Sequence, residues 1–191
     1  MTSRAIAAAV VAAAVAVPAL IHAQAKTADK AFVSAGKVDI HLDGGDYEVR
    51  AASDNHVRVT MTGNTGKATV DVTIAGTHAD VSVRNTPHSN FRCVIEVPKV
   101  SDVAIRLSGG DLDVSGITGS KDIEATAGDV KIAAGDPNGY SKVDASVKVG
   151  DLSAGPFGDA KGSFLSKSVN WSGKGKYTLH ATLGAGDLKL E

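Results

Sequence analysis

From Phe32 to Leu190 apolar and polar residues alternate one for one, in short runs stopped by Gly, Asp, Asn or Pro. Val38-Asp39-Ile40-His41-Leu42, Val57-Arg58-Val59-Thr60-Met61, Val70-Asp71-Val72-Thr73-Ile74 and Val103-Ala104-Ile105-Arg106-Leu107 show the pattern. Successive side chains of a strand point to opposite faces, so each run predicts a strand with one buried face. No helix is predicted after residue 25. Pro87, Pro98, Pro137 and Pro156 fall between runs, where a missing N–H interrupts no ladder.

A Gly-Asp repeat lies over this pattern: Gly45-Asp46, Gly110-Asp111, Gly128-Asp129, Gly150-Asp151 and Gly186-Asp187. The last four copies are 18, 22 and 36 residues apart. That spacing fits a unit of about 18 residues, with an insertion near Gly135-Asp136-Pro137-Asn138 and one copy without the motif. Seven, five and three residues before each Gly, and two and four after it, the side chain is nearly always apolar. The first copy gives Val38, Ile40, Leu42, Tyr47 and Val49; the fifth gives Leu179, Ala181, Leu183, Leu188 and Leu190. Lys121, in the third copy, breaks the register.

The step from three before to two after is five, an odd number, so a flat strand would put the two apolar sets on opposite faces. They share one core only if the Gly-Asp segment bends the chain. Gly accepts positive φ and Asp bonds nearby backbone donors, so Gly45, Asp46, Gly110, Asp111, Gly128, Asp129, Gly150, Asp151, Gly186 and Asp187 are read as structural turns. Each turn leads either into a hairpin or around a solenoid corner. The repeating unit length favours a β-solenoid-like, two-sheet path from Val103 onward, with antiparallel pairing for Phe32 to Val97.

Leu107-Ser108-Gly109-Gly110-Asp111-Leu112-Asp113-Val114, Ala127-Gly128-Asp129-Val130-Lys131-Ile132 and Gly184-Ala185-Gly186-Asp187-Leu188-Lys189-Leu190 also carry a resemblance. The chain resembles a bacterial β-strand-repeat family labelled putative adhesins, a domain of unknown function. The resemblance covers roughly residues 32 to 190. It implies an exported all-β, solenoid-like domain at the cell envelope, with no catalytic residues to carry over.

Residues 1–25 differ from the rest. Arg4 precedes an Ala/Val-rich run from Ala5 to Leu20, shorter than the ~20 residues of a membrane span, and Ala23-Gln24-Ala25 supplies a small-x-small site. This predicts a secretory signal peptide over 1–25 and a single β-repeat domain over 26–191, starting at Lys26, with cleavage after Ala23 as the other option. The protein is then periplasmic or extracellular, with no integral span after cleavage. Without Arg4, 19 basic side chains face 21 acidic ones, which supplies no long-range field for phosphate, so nucleic acid is not expected as a partner. Cys93 is the sole cysteine. It stands on the apolar side of Phe91–Val97 and is read as a buried structural thiol.

No catalytic, cofactor-binding or metal-binding residue is read from the sequence. The five motif aspartates could stack as a Ca2+ ladder, but the nonapeptide Ca2+ repeat needs two further glycines and a nine-residue period, which are not here. His41, His56, His78, His88 and His180 lack zinc-ligand spacing and are read as solvated. Gly63-Asn64-Thr65-Gly66-Lys67 is too short for a phosphate loop and is read as a hairpin turn. Phe157 to Tyr177 holds four of the eight aromatics, Phe157, Phe164, Trp171 and Tyr177, among Lys161, Lys167, Lys174 and Lys176. Two readings stand for it: a cap on the open end of the stack, or a ligand contact through Trp171, Tyr177, Lys174 and Lys176. The expected function is a non-enzymatic envelope protein with a structural, adhesion or interaction role, touching an envelope protein or polysaccharide. The alternative is a carbohydrate-binding or carbohydrate-processing protein using the Trp171 region.

Overall fold

The alternating runs are strands. The computed structural model describes residues 26–163 and 165–191; the expected signal peptide and Phe164 lie outside the described residues. In chain order the strands are β1 (Lys26–Ala31), β2 (Gly36–Leu42), β3 (Asp46–Ala52), β4 (His56–Gly63), β5 (Thr69–Ala75), β6 (His78–Arg84), β7 (Phe91–Pro98), β8 (Ser101–Leu107) and β9 (Leu112–Ser115). They continue as β10 (Lys121–Ala127), β11 (Val130–Ile132), β12 (Tyr140–Val149), β13 (Leu152–Ser153), β14 (Lys161–Ser163), β15 (Ser166–Ser172), β16 (Tyr177–Ala185) and β17 (Leu188–Leu190). Pro98 closes β7 instead of lying beyond it. The expected insertion is a short 3-10 turn, Pro137–Gly139, capped by the Asp136 carboxylate.

Two open mixed sheets face each other. One has eight strands in the order β1-β4-β7-β3-β9-β11-β17-β13, the other nine in the order β14-β15-β12-β16-β10-β8-β2-β6-β5. Every Gly-Asp segment passes the chain between them: β2 leads to β3, β8 to β9, β10 to β11, β12 to β13 and β16 to β17. The odd step of five is accounted for in this way. Leu107 and Leu112 belong to opposite sheets and both point into the core between them, where they are 3% and 2% exposed.

The two path expectations need correction. A solenoid winds successive units onto successive rungs, whereas here the fifth unit lies between the third and the fourth, and the sheets stay open. The reason is a detour: after β13 the chain forms the antiparallel β14–β15 pair on the outside of β12, then returns inside it as β16. The N-terminal part is not purely antiparallel either. β1–β4, β4–β7 and β5–β6 are antiparallel, but β2–β6 and β3–β7 are parallel. Alternation reports which face is buried and carries no information about the neighbour's direction.

Candidate functional site

The outward side chains of the nine-stranded sheet form a flat polar platform. β2 contributes Lys37, Asp39 and His41, and its parallel neighbour β6 contributes His78, Asp80, Ser82 and Arg84. β8, β10 and β16 add Arg106, then Asp122 and Glu124, then His180 and Thr182 in matched register. In-register parallel strands lock these groups into rows, because each inward partner is a buried aliphatic such as Ile40, Val81, Ile105 or Ile123. Arg106 bonds Asp122 through Nη2 at 2.7 Å and lies 3.3 Å from Glu124 through Nε. Toward the corner ends of the strands the platform sinks into a depression of about 530 Å3, bordered by His41, Asp43, Arg84, Arg106, Glu124 and Lys148.

The eight-stranded sheet carries a compact ion-pair group on its own outer side. Arg50 reaches Glu48 and Glu96 at 3.0 Å each, and Arg92 reaches the other Glu48 oxygen at 3.0 Å. The Arg92 and Arg50 hydrogen bonds hold the Glu48 carboxyl below its ordinary range.

The Gly-Asp aspartates act on backbone. The Oδ1 atoms of Asp111, Asp129 and Asp187 accept from the N–H of Asp129, Asp187 and Asp151 at 3.3, 3.2 and 3.1 Å, so the carboxylates bracket successive rungs. Gly45, Gly110, Gly128, Gly150 and Gly186 all have positive φ, at 156°, 102°, 122°, 133° and 126°.

Trp171 and Tyr177 stand at the two ends of a row of packed aromatics, not side by side on a free binding face. Trp171 packs edge-on against Phe157 at 5.4 Å and Phe157 against Tyr140 at 5.8 Å; Tyr140 meets Tyr177 at 6.5 Å. This row of aromatics covers one rim of the core. Lys174 and Lys176 are exposed in the turn before β16, and the Lys176 ammonium lies 5.6 Å from the Tyr177 ring centre. Lys176 and Tyr177 border a smaller depression of about 250 Å3.

The platform was not singled out from the sequence, which read its histidines as solvated. The available signal was the pair Asp39-x-His41 and His78-x-Asp80, each placing two ligand-type side chains on the polar side of one run. Only the pairing of β2 with β6 puts the two together.

No family model and no curated protein sequence matches the chain. Among solved structures, a putative cell adhesion protein from Clostridium sporogenes superposes with a TM-score of 0.53 at 14% identity, over 88% of this chain and all of that one. The chain shares that protein's fold. Putative adhesins from Bacteroides fragilis and Parabacteroides distasonis also match over 88% of this chain, with 12% and 11% identity and 97% and 70% of their own lengths covered. Their TM-scores are 0.27 and 0.28. The structure whose fold the chain shares is thus named for cell adhesion, in line with the family that the Gly-Asp motifs resemble.

Proposed function

We propose that the chain is an exported, non-enzymatic β-repeat protein of the bacterial cell envelope that works by adhesion or interaction, through the outer face of its nine-stranded sheet. The observation that carries this reading is the platform itself. Six parallel strands, β6, β2, β8, β10, β16 and β12, hold fixed rows of Asp, Glu, His, Arg and Thr around an open depression, a shape suited to an extended polymer or a protein surface. The fold it has in common with a protein named for cell adhesion supports the same direction. Among the described residues no helix is long and apolar enough to cross a membrane. The expected partner is an envelope polysaccharide or envelope protein, with no cofactor involved.

The test has two arms. Mass spectrometry of the protein from periplasm or medium is expected to find its N-terminus at Lys26 or, with the earlier cleavage, Gln24. Replacing both Arg84 and Lys148 by Glu is expected to weaken binding to isolated envelope polysaccharide or protein about tenfold, mainly through slower association. Unchanged binding removes the platform from the reading, and a hydrolase activity lost on one carboxylate substitution overturns its non-enzymatic part.

A second reading, carbohydrate contact at the turn before β16, rests on the Lys176–Tyr177 pair beside its own depression with Lys174 exposed next to it. Glycan binding lost in Tyr177→Ala and kept in Arg84→Glu favours it. Trp171→Ala alone is expected to lower stability more than binding, because that ring packs on Phe157.

A further inference from the structure

The geometry points to a divalent-metal site for a Zn2+-type ion on the outer face of the nine-stranded sheet, formed by Asp39, His78 and Asp80 with His41 within reach. β2 and β6 run parallel with Asp39 directly opposite Asp80. Like charges at facing positions destabilise a strand pair, so this placement costs stability unless a cation lies between them. His78 Nε2 stands 3.2 Å from Asp39 Oδ2 and 3.5 Å from Asp80 Oδ2. A tetrahedral Zn2+ with bonds of 2.0–2.1 Å sets its ligand atoms about 3.4 Å apart, which is the spacing of the two histidine–carboxylate pairs here. One imidazole and two carboxylates also match the donor preference of such an ion and neutralise its charge.

Two further observations favour this cluster. Asp39 Oδ1 is shielded from solvent and has no hydrogen bond; the exposed Lys37 ammonium lies 3.0 Å from it and donates instead to Oδ2 at 3.3 Å, a contact that a metal bound at Oδ2 would displace. His41 Nε2 is 3.9 Å from Asp80 Oδ1, close enough to supply a fourth ligand by a small side-chain rotation. The same face holds a built-in contrast. Asp122, Glu124 and His180 also bring three ligand atoms together, but the Arg106 guanidinium already engages both carboxylates. Composition is alike in the two clusters; in the first, the competing cation is the exposed Lys37 ammonium, which touches Asp39 alone, while Asp80 meets, among the described residues, only the imidazoles of His41 and His78. Both strands are flanked, β2 by β8 and β6 by β5, so the ligands sit on rigid backbone.

The test is a titration of the protein, purified without a histidine tag, with Zn2+ and separately with Co2+. One equivalent is expected to bind and raise the melting temperature, and Co2+ to show the intense visible absorption of a tetrahedral site. His78→Ala and Asp80→Asn are each expected to weaken affinity by more than about 100-fold, beyond the loss usual for an outer-shell partner. His180→Ala is expected to bind as the parent does. Asp80→Asn removes the like-charge pair, so its metal-free melting temperature is expected to stay level or rise, which separates lost ligation from lost folding. No saturable binding, binding unchanged in Asp80→Asn, or binding lost in His180→Ala instead each overturns the site. The first of these outcomes leaves the Lys37 ammonium on Asp39 as the cation that offsets the facing carboxylates.

Discussion

Lys121 occupies a slot that the repeat otherwise gives to an aliphatic side chain. It is 1% exposed. Its Nζ donates to the Gly119 carbonyl at 3.2 Å and to the Tyr140 hydroxyl at 2.8 Å, and that hydroxyl donates onward to the Ala134 carbonyl at 2.9 Å. Burial pushes the lysine down from 10.5 to about 8. Below pH 8 folding must bury the charge. Between pH 8 and 10.5 the unfolded chain holds a proton that the folded one has released, so this group makes stability rise with pH across that window. Lys121→Met is therefore expected to stabilise the protein near pH 7 by about 1–3 kcal/mol, given about 1.4 kcal/mol per pKa unit and the loss of one hydrogen bond. The gain should shrink toward pH 10, read as the difference between the two urea midpoints at each pH. A gap equal at both pH values would show that the lysine is not the titrating group. Cys93 belongs to the same scale: it is buried and its thiol is pushed up to about 12, so iodoacetamide is expected to label it only after denaturation. The broken register at Lys121 was legible in the sequence. Its partner Tyr140, 19 positions on, was not, because no local pattern reports a contact made across a loop.

Among the elements, the Gly-Asp corner determines how rungs stack. A Cβ built on Gly128 would lie 1.9 Å from the Gly110 carbonyl oxygen, and one on Gly186 would lie 2.0 Å from that of Gly128. At Gly110, Gly128, Gly150 and Gly186 backbone approaches backbone, and a methyl group has nowhere to go. With φ at 122° as well, Gly128→Ala is expected to lose on the order of 3 kcal/mol or more, measured as a drop in the denaturation midpoint. Asp129 separates charge from bonding at the same corner. Asp129→Asn keeps an acceptor for the Asp187 N–H and should be nearly neutral, whereas Asp129→Ala removes it and should lose about 1 kcal/mol. An Asn variant as damaging as the Ala one would mean that the negative charge matters. The bend was legible from the odd step between the two apolar sets, since only a change of sheet lets both face one core. The direction of neighbouring strands was not. Alternation in Val81 and Val83 of β6 looks the same whether β2 runs alongside parallel or antiparallel. The approach of His78 to Asp39 was illegible for the same reason, because a contact made between strands has no spacing along the chain.

At the scale of the whole molecule, both ends of the sandwich are closed by different devices. At one end Lys26 reaches across from β1 to the Ala68 carbonyl, and Lys30 to the Val72 carbonyl, covering part of the open edge of β5. At the other end the β14–β15 pair and the Phe157–Trp171 contact cover the last rung, an arrangement that blunts an edge otherwise ready to pair with another chain. Between them, the last segment of sequence is central in space: β16 lies between β10 and β12, and β17 between β11 and β13. The repeat could not reveal this, because near-identical rungs carry no mark of which rung is next. The placement has a consequence for assembly. Until β16 and β17 leave the ribosome, β12 and β13 lack their parallel partner, and the core lacks Leu179, Leu183, Leu188 and Leu190, each 2% exposed or less. Full burial of a leucine stabilises by roughly 2 kcal/mol, so the four together match much of the 5–15 kcal/mol that holds a typical domain folded. A chain ending at Gly175 is therefore expected to show no cooperative urea transition and to bind a hydrophobic dye. A synthetic peptide spanning residues 176–191, added in trans, should restore both the transition and the dye-free state by filling the vacant rung. Cooperative unfolding of the shortened chain by itself would mean that the third and fourth units can close on each other without the fifth.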